Sequence, residues 1–223
     1  MANPLSSVLK INAGIVLALL LCIASPAVAQ KPFVEGVIVY RVKLATPDKH
    51  YYDGQFTFTI KGGNIKKELR LSNNYQYVLL INTASKSAYS LITRNGKKYA
   101  VQLKTEELEN SQRKYEGFAL KEEKNTGKVI AGYTVFKGRV TYTDGSVSEI
   151  YSTPDWYPDK SIVYDHFPGA KFLPLSYTYT DESGSSMQFE AETVNISPVE
   201  NSIFKLPADY KIISNNEYRQ LRK

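Results

Sequence analysis

The sequence predicts a mainly β protein: one curved antiparallel sheet in the form of an open barrel, with a few short helices to one side. Three observations carry that prediction. Apolar and polar residues alternate with period two through most of the chain, Gly-Gly, Asn-Gly and Asp-Gly pairs separate the alternating runs, and helical patterning is confined to short stretches. Side chains on a strand point alternately to opposite faces, so such runs read as strands buried on one side.

The first long run is FVEGVIVYRVKL, in which Val34, Ile38, Tyr40, Val42 and Leu44 share one parity while Glu35, Arg41 and Lys43 share the other. Phe56, Phe58 and Ile60 repeat the period, Gly62-Gly63 turns the chain, and Ile65, Leu69 and Leu71 return. Glycine pairs suit hairpins because tight turns need positive φ. YQYVLLIN and KSAYSLIT continue the meander to Asn95-Gly96, another hairpin signal, and KKYAVQL follows with Tyr99, Val101 and Leu103 on one face. KTEELENSQRK then reads as a short surface helix with Thr105 as N-cap and Glu106 and Glu107 in its first turn.

The next pair of strands surrounds Asp144-Gly145. Thr134, Phe136, Val140 and Tyr142 alternate before it, and Ser146 to Thr153 returns after it. A two-residue turn there would set Tyr142 opposite Val147, Val140 opposite Glu149 and Gly138 opposite Tyr151. Glu149 would then face the apolar side, either in a salt bridge at the rim or as a polar anchor in a ligand cavity. PDKSIVYDHFPG reads as a lid-like insert with a helical turn. Two long strands follow, FLPLSYTYTD and SMQFEAETVNIS. In the second the apolar parity changes after Ala191, which predicts a bulge near Glu192 or Thr193. Ser214 and Glu217 have the spacing of a capping box, so a short helix is expected to end the chain.

Residues 1–29 read as a secretory signal: Lys10 lies in a polar start, an apolar run spans Ile15 to Ile23, and Ala27-Val28-Ala29 forms the cleavage motif. Cleavage before Gln30 would leave one β domain over residues 30–223, exported to the periplasm and not integral to the membrane. It would also remove Cys22, the only cysteine, leaving no disulfide or thiol chemistry in the domain. The alternative is a lipid anchor on Cys22, against which Leu21 stands, because lipoprotein processing wants a small residue before the cysteine.

The net formal charge is +6, but the basic residues are dispersed. Lys67 follows Ile65, Arg70 follows Leu69 and Lys97-Lys98 precede Tyr99, which spreads positive charge over a solvated strand face. A nucleic-acid partner would require a clustered basic surface, and none is apparent. His50, near Asp48, and His166, beside Asp165, lie far apart and lack the spacing of a metal site, so all four read as solvated loop residues and no cofactor or metal is expected. No nucleophile elbow or Ser/His/Asp order is present, and Glu190 and Glu192 read as a solvated edge.

The ordered set VIAGY, DGSVSEIYST, FLPLSY, AETVNI and SIFKLPADY resembles an uncharacterised family of exported bacterial proteins of the lipoprotein-carrier type, with the LolA/LolB-like fold. The likeness runs from Phe33 to Tyr210. It implies a strongly curved antiparallel half-barrel with helices on or beside its concave face, and a cavity that in the carriers holds lipoprotein acyl chains. This chain departs from the carriers in having fewer and shorter helices, and Arg41 matches no carrier arginine by motif. The implied function is a non-catalytic periplasmic binding or carrier protein for an acyl or lipid-like ligand. The alternative is an interaction module of a cell-envelope complex, its half-barrel filled by its own side chains. The residues expected to line a cavity are Ile38, Tyr40, Phe56, Phe58, Tyr77, Leu79, Tyr99, Val101, Phe136, Val140 and Glu149.

Overall fold

Twelve strands form a single sheet in the computed structural model, which describes residues 30–159, 165–181 and 183–221. The expected signal segment, with Cys22, and the central part of the lid-like insert lie outside the described residues.

The strands are β1 (Lys31–Phe33), β2 (Glu35–Ala45), β3 (Tyr51–Lys61), β4 (Asn64–Leu71), β5 (Gln76–Asn82), β6 (Ser87–Arg94) and β7 (Lys97–Lys104). After helix α1 (Thr105–Gln112) and a 3-10 turn (Arg113–Tyr115) come β8 (Ala119–Ile130), β9 (Tyr133–Thr141), β10 (Val147–Thr153), β11 (Trp156–Pro158), β12 (Leu173–Thr180) and β13 (Ser186–Asn195). A second 3-10 turn (Asn201–Phe204), β14 (Lys211–Ser214) and α2 (Asn215–Leu221) complete the chain. The main sheet runs β14-β7-β6-β5-β4-β3-β2-β13-β12-β10-β9-β8, open at both ends and antiparallel except for β14 beside β7. β1 and β11 make a separate parallel pair.

Local chemistry accounts for most of the connections. Lys61 pairs with Asn64 around Gly62-Gly63, and Arg94 pairs with Lys97 around Asn95-Gly96, whose φ values of 50° and 73° fit the two-residue hairpin turn. Ala131-Gly132 makes the same kind of turn between β8 and β9, with φ 49° and 84°, although alanine gives no such signal. The bulge in β13 falls between Ala191 and Thr193, leaving Glu192 as the extra residue. At the start of α1 the N-cap is Lys104, one residue before the expected Thr105; its amide donates to Glu107 Oε2 at 3.2 Å. Ser214 and Glu217 cap α2 reciprocally, Ser214 N to Glu217 Oε2 at 2.6 Å and Glu217 N to Ser214 Oγ at 3.2 Å.

The Asp144-Gly145 hairpin differs from expectation by one residue. Tyr142 N donates to Ser146 O, so the loop holds three residues, with Gly145 at φ +82°. Val147 therefore opposes Thr141, and Glu149 opposes Arg139. A slip of one residue moves every side chain to the other face. Glu149 is thus on the polar face, exposed, with Lys137 Nζ 3.0 Å away.

The apolar inner face of the sheet carries the core. From Val199 onward the chain crosses to the other face, where Phe204 and Leu206 approach Leu80 and Tyr89. Lys61 Nζ to Val199 O at 2.6 Å and Val199 N to Glu35 Oε1 at 2.8 Å fix this crossing at the paired ends of β2 and β3.

Candidate functional site

Register places most of the expected cavity residues in two adjoining rows. Ile38 pairs with Phe58, Phe58 with Lys67, Lys67 with Leu79, Leu79 with Ser90 and Ser90 with Val101, a single row across β2 to β7. The neighbouring row runs Tyr40, Phe56, Leu69, Tyr77. Tyr99, two residues from Val101, shares the same face on β7 by strand alternation. Val140 is also buried on this face, opposite Ser148. Phe136 is only half-buried and opposes Ser152, while its neighbour Val135 enters the core. Glu149 does not join the site at all.

Ile38, Tyr40, Phe58 and Val101 are no more than 1% exposed. The face is roofed by chain from elsewhere: Leu108 of α1, Tyr115 and Phe118 after it, and Phe167, Ala170 and Phe172 from the segment before β12 all join its apolar cluster. Aromatic rings link roof to floor. Phe167 meets Tyr177 edge-on at 5.2 Å between centroids, and Tyr177 stacks on Phe189 at 4.6 Å and meets Tyr40 at 6.2 Å. Such contacts add to the area they bury and fix ring orientation. The Tyr40 hydroxyl donates to Pro174 O at 2.8 Å, so this central tyrosine is both buried and satisfied.

One charge interrupts the apolar floor. Lys67 stands between Phe58 and Leu79 with its side chain 3% exposed, and its ammonium donates to Asp165 Oδ1 at 2.7 Å. Gln112, the last residue of α1 and itself buried, donates to the same oxygen at 3.4 Å. Floor, helix and roof segment thus converge on one carboxylate. Desolvation by the surrounding chain raises the pKa of Asp165, although about half of its side chain is reached by water, and the charge and hydrogen bond of Lys67 outweigh it and hold the carboxyl below its ordinary range.

Next to Asp165, His166 lies 3.8 Å from the Tyr179 ring and 4.8 Å from Tyr115, and Tyr142 donates to its carbonyl at 3.1 Å. Burial lowers the His166 pKa to about 4 despite the nearby carboxylate, so the ring is neutral at neutral pH. Burial also raises the pKa values of Tyr77 and Tyr142, each reinforced by a neighbouring aspartate, keeping both phenols protonated. A pocket of about 280 Å³ opens beside this cluster, lined by Tyr115, Tyr142, Ser148 and Tyr179 among others. A larger open pocket of about 490 Å³ at the ends of β2 and β3, lined by Tyr51, Tyr52 and Gln188, touches neither row.

Lys67, Gln112, Asp165 and His166 are what reading the sequence for solvated charges missed. For Lys67 a signal existed: it shares the odd parity of Ile65, Leu69 and Leu71, a position where a charge needs a buried partner. Nothing in the spacing pointed to Asp165, which is 98 residues away. Asp48 and His50, by contrast, pair with each other at 2.8 Å in an exposed loop.

No family model matches the sequence, and no curated protein does. Among solved structures the chain is similar to a LolA superfamily protein from Nitrosomonas europaea, with 10% identity, a TM-score of 0.40 and coverage of 79% of this chain and 92% of that one. At that identity and score the likeness carries no conclusion about ligand or activity.

Proposed function

We propose that this protein is a non-catalytic, exported binding or carrier protein whose ligand is an apolar chain held against the inner face of the sheet. One observation carries the reading: the inner face of six strands, apolar except at Lys67 and Ser90, is roofed in large part by separate short segments, α1 and Asp165–Phe172. Those segments can move without breaking a strand ladder. The floor residues are Ile38, Tyr40, Phe56, Phe58, Tyr77, Leu79, Tyr99 and Val101, with Val140 beyond them. Covering a sixteen-carbon acyl chain would gain roughly 12 kcal/mol at about 0.8 per methylene, before ordering costs. Among the described residues no helix is long and apolar enough to cross a membrane.

The burial of Ile38, Tyr40 and Phe58 in one apolar cluster with Phe167 and Phe172 favours a second reading, an envelope interaction module filled by its own side chains. Native mass spectrometry of protein purified without detergent, together with titration of fluorescent acyl probes, separates the two. Co-purified lipid or saturable probe binding supports the carrier. If no lipid co-purifies and no acyl probe binds, charged or neutral, the interaction module is the better account.

A further inference from the structure

Resting on the inner face as an acyl-chain site, we propose that the ligand's chain ends in a carboxylate and that Lys67 receives this group in place of Asp165. The ammonium of Lys67 lies in the middle of the floor, between Phe58 and Leu79, and Asp165 is its one acidic partner among the described residues. Asp165 belongs to the roof, two residues before Phe167, the ring that touches Tyr177. A ligand that lifts Phe167 away therefore also withdraws the counter-charge. A neutral chain would leave a buried ammonium unpaired among apolar side chains, a costly state. A chain with an acid end restores the pair and keeps the floor neutral.

The donors at this point select among acids. Lys67 supplies one positive charge and Gln112 one amide N–H, and the group they hold now is itself a carboxylate. A monovalent carboxylate replaces it with charge and geometry preserved, whereas a doubly charged phosphate monoester would bring a surplus negative charge into an apolar surround. The Tyr77 phenol and the His166 ring nearby are neutral at neutral pH, so neither brings a second charge to this point.

The test compares cis-parinaric acid with its methyl ester, two probes with the same chain and fluorescence, on the full-length protein at neutral pH. The wild type is expected to bind the acid at least about tenfold more tightly, the scale of a hydrogen bond to a charged group. Lys67→Met should bind acid and ester alike. Asp165→Asn, which removes the pair that either probe must break, should tighten acid and ester alike severalfold and keep the preference for the acid. Should Lys67→Met fail to fold, the wild type and Asp165→Asn decide. Equal binding of acid and ester by the wild type, or an acid preference that persists in Lys67→Met, overturns the Lys67 assignment while leaving the acyl-chain site standing. Binding of neither probe removes both.

Discussion

Lys67 and Asp165 form an unequal pair: the lysine side chain is 3% exposed and the aspartate 54%. Removing the aspartate leaves a charge in the floor, while removing both leaves an apolar floor. Asp165→Ala should therefore destabilise by about 2 kcal/mol, less than the loss of a fully buried partner because water still reaches that side. Lys67→Met added to Asp165→Ala should restore most of the loss, which urea unfolding of the four proteins of the cycle would measure. His166 sets the pH dependence. Its pKa is 6.5 ordinarily and about 4 here, so below pH 6.5 the unfolded chain takes up a proton that the folded chain refuses. Stability should be complete above pH 6.5 and fall progressively toward pH 4. The shifted carboxylates, Glu35, Asp165 and Glu217 among them, start from values of 4.5 or below and are lowered further, so their losses come at lower pH. His166→Phe, which keeps a ring against Tyr179, should flatten unfolding midpoints between pH 6.5 and 4.5; an unchanged slope would assign that limb to another group.

At the scale of elements, the β9–β10 hairpin depends on one backbone conformation. Gly145 has φ +82°, and a Cβ there would meet nothing within 4 Å, so any cost of substitution is conformational and not steric crowding by neighbours. Gly145→Val should lower stability by about 1 kcal/mol or more, and Gly145→Asn by less, since asparagine tolerates the left-handed region. Thermal melts of the two variants would show it; equal melts would mean the turn can rearrange. The same loop shows why register was harder to read than strand identity. Asp144-Gly145 identified the turn, but two- and three-residue loops share that dipeptide, and the choice decides which face receives Glu149. Alternation of apolar residues around Phe136 did not resolve the choice, because Val135 and Val140 are both buried although their parities differ.

For the molecule as a whole, residues 30–223 are expected to unfold as one unit, with denaturation followed by tyrosine fluorescence and by far-UV circular dichroism coinciding. Ile38→Ala combined with Val101→Ala should cost about 3–6 kcal/mol, since both side chains are at most 1% exposed in the floor. On the carrier reading the folded fraction should also lose acyl-probe binding. A destabilised double variant that binds a probe as well as the wild type would place the ligand elsewhere.

For β2 to β7, β9, β10, β12 and β13 strand identity was settled locally, by alternation in runs such as Val34 to Leu44 and by turn pairs such as Asn95-Gly96, because the strand period and the conformational demands of tight turns act over a few residues; β8, whose ALKEEKNTGKVI does not alternate, was not legible in this way. The capping box of Ser214 and Glu217 and the bulge after Ala191 were legible for the same reason. Local sequence also placed Ile38, Tyr40, Phe56, Phe58, Tyr77, Leu79, Tyr99 and Val101 on the apolar parity of their strands. What tertiary structure alone decided is what lies over that face. The roof comes from Leu108, Phe167 and Phe172, the counter-ion of Lys67 comes from Asp165, and β14 joins β7 in parallel. Those partners are set by the closing of long loops and the need to neutralise a buried charge, and neither leaves a period or a spacing in the chain.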